Sequence, residues 1–321
     1  MGKTLINQDG FIKLLNIVGT VCGWYKDSGL ETRVFCVKVD SRVFRPVDTP
    51  RLTALANRGS LLHFNPEDRL MSLVLANKVA LITGGARGIG RATALKLAEA
   101  GSDVAIVYYN SSDEATTLIE AIERLGRRAI ALQANVADQQ SIKEMFAQFR
   151  ERFTRLDFLV SNAASGVLKP AMSMSTKHWR WCMETNALAL NHLVCEGRAM
   201  MAPGSRVIAL SSLGAHRAIP NYAFIGASKA ALEALVRSLS LELAEVGISV
   251  NTVSAGVVDT DALKHFPNRE QLLDEYQAHS LSARPLTPED VANAIYLLCL
   301  PEAEMIKGHT LFVDAGYSVV G

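Results

Sequence analysis

Residues Lys78–Gly90 read KVALITGGARGIG and decide the fold class of this 321-residue chain. VALIT is a short apolar run without alternation, which is typical of a strand buried on both faces of a parallel sheet. The glycine-rich turn follows at once, and Arg91–Ala100 then has a helical pattern that Gly101 closes. In this setting glycines let the backbone approach a pyrophosphate, and the helix N-terminus offers N–H donors. The stretch therefore predicts a dinucleotide-binding unit.

The alternation of apolar runs and helical patterns continues to the end of the chain. Further strands are predicted at Val104–Tyr109, Ala129–Ala134, Leu156–Val160, Val207–Ser211, Ile248–Val253 and Thr310–Val313. Helical patterns lie between them, including a long one over Thr176–Met201 and another over Ala223–Val246. Strands that alternate with helices of this length predict an α/β fold with a Rossmann-like, doubly wound parallel sheet.

Residues 1–70 do not share this pattern. An apolar stretch at Phe11–Val21 and a loosely alternating one at Thr32–Phe44 predict one or two strands, and prolines interrupt the chain between Pro46 and Pro66. Because no repeat and no chemical motif occurs there, we interpret 1–70 as an N-terminal extension of unknown role and 71–321 as a single catalytic domain. A second interpretation is that Met71 is the natural start of the protein.

Composition argues against several classes of function. The net charge is +1, so there is no electrostatic case for nucleic acid or an anionic membrane as a partner. The five cysteines are scattered without metal-ligand spacing, and no apolar run is long enough to span a bilayer. Since the N-terminus also lacks the pattern of a secretory leader, we expect a cytoplasmic protein without a metal.

Residues Ser211–Lys229, SSLGAHRAIPNYAFIGASK, bring a hydroxyl, a phenol and an amine to the end of a strand and the start of a helix. Ligands of open α/β sheets bind at the carboxyl ends of the strands. Tyr222 and Lys229 are seven residues apart, nearly two helical turns, and therefore share a face. A nearby cation lowers the pKa of a phenol from about 10. Ser212, Tyr222 and Lys229 are therefore candidate catalytic residues.

The second strand of the dinucleotide unit ends in Tyr108–Ser112 and lacks there the acid that holds the ribose 2′-hydroxyl of NAD, since no acid follows the strand end before Asp113. Arg87 in the glycine turn and the hydroxyl of Ser111 are placed to meet a 2′-phosphate, so NADPH is the expected cofactor. A surface arginine without a cofactor role is the alternative for Arg87. The candidate cofactor-binding residues of the first four strand ends are Gly84, Ala86, Arg87, Gly88, Ile89, Gly90, Asn110, Ser111, Asn135, Val136, Asn162, Ala163 and Ala164.

Several motifs together resemble the short-chain dehydrogenase/reductase family over residues 75–321: TGGARGIG, SNAA, METNALAL with Asn186, the Ser/Tyr/Lys set and NTVSAGVVDT. Ordinary members carry Tyr-x3-Lys, whereas this chain has Ile225 at the tyrosine position and Tyr222 instead. The resulting Tyr-x6-Lys is similar to the enoyl-acyl carrier protein reductases. SLGAHRAIPNY and DTDALKHFPNRE are similar to the NADPH-dependent type III enzymes of that group.

This resemblance implies NADPH-dependent reduction of the 2,3 double bond of enoyl thioesters, as in fatty acid biosynthesis. Tyr222 would stabilise the enolate and Lys229 would hold the nicotinamide ribose. Ser212 either orients the substrate carbonyl or bonds its own turn, and Asn186 either anchors a water near Lys229 or serves packing. Gly256, Val258 and Thr260 match the family's segment against the nicotinamide, with Ala255 in place of its proline.

The resemblance also implies which molecules the protein binds and how its subunits associate. The enoyl substrate is expected on acyl carrier protein or on coenzyme A, and the subunits are expected to pair as a homodimer or homotetramer. Asp261–Leu281 would cover the substrate, and Lys264, His265 and Arg269 within it could meet an acidic carrier. Two alternatives remain: a carbonyl reductase of the same family acting on a 3-oxoacyl or other ketone, and a nucleotide-sensing protein with an idle site.

Overall fold

A computed structural model describes residues 4–7, 10–17, 20–26, 32–38, 73–260, 263 and 269–320. The chain divides into two compact units, residues 1–69 and 70–321. Within the first unit four strands form an antiparallel sheet in chain order: β1 (Thr4–Asn7), β2 (Gly10–Ile17), β3 (Thr20–Lys26) and β4 (Thr32–Lys38). The apolar stretch at Phe11–Val21 therefore falls on two strands, so the prediction of one or two strands in this segment was too few.

The second unit alternates strands with helices. Its strands are β5 (Val79–Thr83), β6 (Asp103–Tyr108), β7 (Ala129–Gln133), β8 (Phe158–Ser161), β9 (Arg206–Ser212), β10 (Ser249–Ala255) and β11 (Thr310–Val313). Its α-helices are α1 (Gly88–Glu99), α2 (Ser112–Arg124), α3 (Gln139–Arg152), α4 (Thr176–Met183), α5 (Ala189–Gly197), α6 (Ala223–Ala244), α7 (Arg269–His279) and α8 (Pro288–Cys299).

The strands of this unit form one parallel sheet in the order β11-β10-β9-β8-β5-β6-β7. The chain runs outward from β5 through β6 to β7 and then continues on the other side of β5 with β8. This reversal of strand order opens a crevice at the carboxyl ends of β5 and β8, where doubly wound folds bind their ligands. The prediction of a Rossmann-like fold is confirmed.

Helices cover both faces of the sheet. On one face Leu97 of α1, Leu118 of α2 and Ile295 of α8 belong to one buried cluster. On the other face a second cluster includes Phe146 of α3 and Val236 of α6. All five residues of β5 are buried, as its unbroken apolar run predicts. The crevice therefore lies at the edge of a rigid, doubly covered sheet.

The long helix predicted over Thr176–Met201 is wrong as a single helix. The chain leaves α-geometry in a π-helical turn over Glu184–Leu188, resumes as α5 and ends at Gly197. Single π-helical turns of this kind are frequent at functional sites. Here the turn contains Asn186, which is buried. Within the described part of the chain, no helix is long and apolar enough to cross a membrane.

Candidate active site

The turn between β5 and α1 has the shape that a dinucleotide requires. Gly84 and Gly88 have positive φ angles of 62° and 51°, which other residues rarely adopt. A Cβ atom added at Gly90 would collide with the carbonyl oxygen of Gly84. The turn is therefore tight, and its glycines leave the backbone open to a phosphate at the N-terminus of α1. The residues present fit the cofactor expected from the sequence.

Asn162 holds this turn in place. Its Nδ2 donates hydrogen bonds to the carbonyl oxygens of Thr83, at 2.9 Å, and Gly84, at 3.1 Å. The backbone N–H groups of Asn162 and Ala163 both donate to the hydroxyl of Thr83, each at 3.0 Å. The side chain of Asn162 thus joins β8 to β5 at the point where strand order reverses. Its place near the cofactor was predicted, whereas this bracing role was not.

The region expected to take the 2′-phosphate carries charges of both signs. Ser111 is buried and directly precedes α2, while Asn110 is exposed. A pocket of about 410 Å³ beside the glycine turn is lined by Ala86, Arg87, Gly88, Arg91, Asp113, Glu114 and Thr117. Two guanidinium groups therefore share this pocket with two carboxylates, so cofactor preference depends on their balance.

Two other candidate segments also lie at the carboxyl edge. After β7 the side-chain oxygen of Asn135 accepts a bond from the backbone N–H of Ala137 at 3.1 Å, and Val136 is buried in the core. After β10, Val258 is buried, and a Cβ added at Gly88 would lie 3.3 Å from Cγ2 of Thr260. The loop after β10 therefore approaches the glycine turn from across the crevice.

Ser212 and Tyr222 meet in the site. Ser212 ends β9, and Tyr222 directly precedes α6. The Tyr222 hydroxyl donates a hydrogen bond to Oγ of Ser212 at 3.3 Å. Burial raises the pKa of Tyr222 from its ordinary value, and the bond with Ser212 acts against this rise. Tyr222 is therefore a neutral hydrogen-bond donor at physiological pH.

Lys229 is more deeply buried than Tyr222. It is 5% exposed, and its Nζ donates to the carbonyl oxygen of Leu210 at 2.6 Å. Burial lowers the pKa of Lys229 to about 8, while the charge of Glu233 acts in the opposite direction. The pKa of Tyr222 is raised by burial, whereas the sequence led us to expect a lowering by a nearby cation.

Asn186 of the π-helical turn braces the wall of the site. Its Nδ2 donates to the carbonyl oxygen of Ser165 and to Oγ of Ser228, both at 2.9 Å. Its Oδ1 accepts from the backbone N–H of Ser165 at 2.8 Å. The amide therefore joins the loop after β8 to α6, as the packing alternative describes. The predicted water near Lys229 stays a prediction.

Position 225, where ordinary family members carry tyrosine, is filled by a buried isoleucine. A Cβ added at Gly166 would collide with the Ile225 side chain and would lie 3.2 Å from Sγ of Cys182. These three residues form an apolar wall beside Lys229. Tyr222 is thus the phenol that this part of the chain presents to the crevice.

One of the three cations predicted to contact an acidic carrier protein forms an ion pair within this chain. Arg269 at the start of α7 pairs with both carboxylate oxygens of Asp259, at 2.7 and 2.6 Å. It therefore ties the covering helix to the loop after β10. Lys264 and His265, the other two cations proposed for an acidic carrier, lie outside the described residues.

The position of the site defines a class of protein. A hydride donor bound at the glycine turn would extend along the crevice toward Tyr222 and Lys229, as in Rossmann-type oxidoreductases that use nicotinamide. A family model described as enoyl-(acyl carrier protein) reductase matches residues 84–318. The chain belongs to the short-chain dehydrogenase/reductase family, whose members are oxidoreductases.

Three relatives show how this chain compares within that family. It is 36% identical to 1-cyclohexenylcarbonyl-CoA reductase of Streptomyces collinus, over 76% of this chain and 88% of that protein. It is 33% identical to a hydroxynaphthalene reductase of Aspergillus fumigatus, over 74% of this chain and 90% of that protein. A short-chain dehydrogenase of Burkholderia cenocepacia, solved in complex with NADP, is 32% identical to this chain and superposes with a TM-score of 0.71. The match covers 76% of this chain and 99% of that protein.

Proposed function

We propose that this protein is an NADPH-dependent reductase of the 2,3 double bond of enoyl thioesters, acting in fatty acid biosynthesis. The observation that carries the proposal is the position of the phenol. Tyr222 stands at the start of α6, bonded to Ser212, while the position one turn further along holds the buried Ile225. The donor is therefore set farther from Lys229 than in ordinary family members.

The chemistry of enoyl reduction needs such a shift. When a ketone is reduced, hydride and proton go to bonded neighbours, so the donor must stand beside the nicotinamide. When an enoyl thioester is reduced, hydride goes to the β-carbon and negative charge builds on the carbonyl oxygen, three bonds away. The α-carbon then takes up a proton. A phenol displaced by about one helical turn, 5.4 Å, is suited to that oxygen.

The protonation state of Tyr222 agrees with this role. Because burial raises its pKa, the phenol keeps its proton at neutral pH and donates a hydrogen bond to the developing oxyanion. Ser212 accepts the bond from Tyr222 before substrate arrives and so orients the hydroxyl. One such donor is typically worth about 2.7–4 kcal/mol of transition-state stabilisation.

The cofactor part of the proposal rests on the glycine turn and its surroundings. When bound, NADPH supplies the hydride. The turn from Gly84 to Gly90 would hold its pyrophosphate, Arg87 and Ser111 its 2′-phosphate, and Lys229 its nicotinamide ribose. The loop after β10 would border the nicotinamide. The complex of the Burkholderia relative with NADP supports this choice.

Relatives with different substrates make a direct assay necessary. 1-Cyclohexenylcarbonyl-CoA is itself an unsaturated thioester, and the reductase named for it supports an enoyl substrate. The hydroxynaphthalene reductase is not named for a thioester, so the alternative, a carbonyl reductase, has to be assayed as well. NADPH oxidation should be measured with crotonyl-CoA and longer enoyl-CoA, with the same chains on acyl carrier protein, and with acetoacetyl-CoA.

We expect turnover with the enoyl thioesters and little with acetoacetyl-CoA. Turnover with acetoacetyl-CoA alone would establish the carbonyl reductase instead. NADPH binding without turnover of any of these substrates would leave a nucleotide-sensing protein. A comparison of kcat/KM between the two carriers decides whether acyl carrier protein or coenzyme A delivers the substrate.

A further inference from the structure

Helix α6 carries a buried carboxylate that the proposed reaction does not use. Glu233 is 2% exposed and lies one turn after Lys229. Its Oε1 accepts a hydrogen bond from Oγ of Ser211 at 2.5 Å. Its Oε2 lies 2.6 Å from Nε2 of His216, a side chain that is 48% exposed. A carboxylate this deeply buried needs charge compensation, because burial strongly disfavours an unpaired charge.

Lys229 is placed to provide that compensation. Residues four apart on a helix are neighbours, with Cβ atoms about 5–6 Å apart. The two side chains also bond to successive residues of β9, since Lys229 binds the carbonyl oxygen of Leu210 and Glu233 binds the hydroxyl of Ser211. A buried ammonium and a buried carboxylate therefore both reach β9 from α6, and the charge of the carboxylate acts on the ammonium.

The other elements packed around Glu233 bring mostly neutral groups. Ser254 of β10 lies opposite Ser211 in the sheet, and Phe312 of β11 contacts the His216 ring with centroids 5.5 Å apart. Arg237, one further turn along α6, is exposed. Among the described residues, Lys229 and His216 are the titratable groups with a charge interaction or ion pair to Glu233, and His216 is charged only when it is protonated.

We propose that Glu233 is a positioning residue of the cofactor site, the buried counter-ion that keeps Lys229 charged so that the ammonium can hold the cofactor. The inference rests on the NADPH part of the proposed function and holds whichever double bond is reduced. Burial alone lowers the pKa of Lys229, and Glu233 works against that effect. Loss of the carboxylate charge should therefore discharge Lys229 at a lower pH.

The test is the pH dependence of NADPH binding, measured by nicotinamide fluorescence from about pH 6.5 to 9.5. For the unmodified protein we expect affinity to fall on the alkaline side as Lys229 loses its proton near pH 8. Glu233→Gln keeps the shape and can still accept from Ser211, but it removes the charge. The NADPH affinity of this variant should begin to fall at a pH about one unit lower. Glu242→Gln, an exposed acid on the same helix, is the matched control and should match the unmodified protein.

A second variant separates charge from structure. Ser211→Ala removes the hydrogen bond to Glu233 but leaves the carboxylate. NADPH affinity should therefore fall at the same pH as in the unmodified protein. The proposal is overturned if Glu233→Gln leaves the fall unmoved, or if Ser211→Ala moves it as far. Should Glu233→Gln fail to fold by circular dichroism, Glu233→Met, which has a similar volume and also removes the charge, must give a shift in the same direction, and no shift there overturns the proposal too. Binding is measured without substrate, so a failed enoyl assay does not affect the result.

Discussion

Tyr222 owes its position to two glycines as much as to its own helix. A Cβ added at Gly214 would lie 2.6 Å from the ring carbons of Tyr222, and one added at Gly226 would lie 2.6 Å from the carbonyl oxygen of Gly214. The turn after β9 can therefore pack flat against the ring and against α6. This close approach holds the phenol beside Ser212, where the proposed reaction needs it.

Removal of the hydroxyl tests this role at a single residue. Tyr222→Phe keeps the ring on Gly214 and should lower turnover of crotonyl-CoA by about 10²–10³, the usual cost of one oxyanion donor. NADPH affinity should barely change, because the phenol does not hold the ribose. Steady-state kinetics and fluorescence titration measure the two effects. Tyr109→Phe, at an exposed tyrosine, serves as the control.

Relocation of the phenol asks whether the spacing itself matters. The double change Tyr222→Phe with Ile225→Tyr recreates the four-residue spacing of ordinary family members. It should not restore enoyl reduction, because the new hydroxyl stands one turn too close to Lys229. The larger ring must also displace the contact of Ile225 with Gly166. Full rescue, measured as kcat with crotonyl-CoA, would mean that another group stabilises the oxyanion.

Cofactor preference is also decided by single residues. Arg87→Ala should lower the ratio of kcat/KM for NADPH over NADH several-fold, since it removes a cation from the pocket that would hold the 2′-phosphate. Asp113→Asn, in the same pocket, should raise that ratio because it removes a competing negative charge. Equal use of both cofactors by the unmodified protein would contradict the assignment.

Sequence reasoning brought together the residues proposed to carry the chemistry and missed the contacts that position them. Ser212, Tyr222 and Lys229 lie in one stretch of chain, so spacing and periodicity brought them together. The bond of Asn162 to Gly84 joins residues 78 positions apart, and no local pattern encodes it. The pKa of Lys229 likewise depends on burial, which lowers it, and on Glu233, which raises it, and both effects become visible only when α6 packs on the sheet.

At the scale of elements, helix α7 is bonded to the segment after β11 and packs against the loop after β10. Tyr276 is buried, its ring stacks on Tyr317 with centroids 4.7 Å apart, and its hydroxyl donates to the carbonyl oxygen of Asp314 at 2.6 Å. A Cβ added at Gly256 would collide with this hydroxyl. The loop thus gains from Tyr276 a restraint at the point where Ala255 replaces the family's proline.

Tyr276→Phe should loosen this restraint without emptying the core. The ring still stacks on Tyr317, but the bond to Asp314 is lost, at a cost of about 0.5–1.5 kcal/mol in the free energy of unfolding. We expect several-fold weaker NADPH binding because the loop borders the nicotinamide. Urea denaturation and fluorescence titration measure the two quantities. Tyr296→Phe on α8 is the control, and equal NADPH affinity in both variants would show that the loop does not need Tyr276.

The π-helical turn between α4 and α5 is a feature that the sequence pattern did not predict. The apolar spacing over Thr176–Met201 fits one long helix, and nothing in it indicates the π-helical turn. That turn forms because Asn186 reaches Ser165 and Ser228, two partners on other elements. Tertiary hydrogen bonds thus override a helical pattern that is correct on either side of the turn.

At the scale of the whole molecule, the two units are expected to separate cleanly. All candidate site residues lie in residues 70–321, and Leu75, which is buried, bonds through its backbone N–H to the carbonyl oxygen of Ala100. A protein started at Met71 should therefore fold and bind NADPH with unchanged affinity. A protein started at Lys78 lacks Leu75 and should be less stable in thermal denaturation. Insolubility of the Met71 form, or loss of its NADPH binding, would make residues 1–70 part of the core or of an interface.

Self-assembly is expected from the family resemblance, and the exposed apolar side chains of two helices support it. Helices α4 and α6 leave large apolar side chains exposed, with Trp179 at 41%, Trp181 at 43% and Leu241 at 79%. Exposed apolar groups on neighbouring helices are typical of an interface, and a two-fold interface uses the same surface on both subunits. We therefore expect a homodimer or homotetramer in sedimentation velocity at micromolar concentration. Leu241→Glu places two like charges in each such interface and should weaken association at least tenfold, whereas Glu242→Gln beside it should not. A compact monomer for the unmodified protein would refute the expectation, and these apolar side chains would then need another partner.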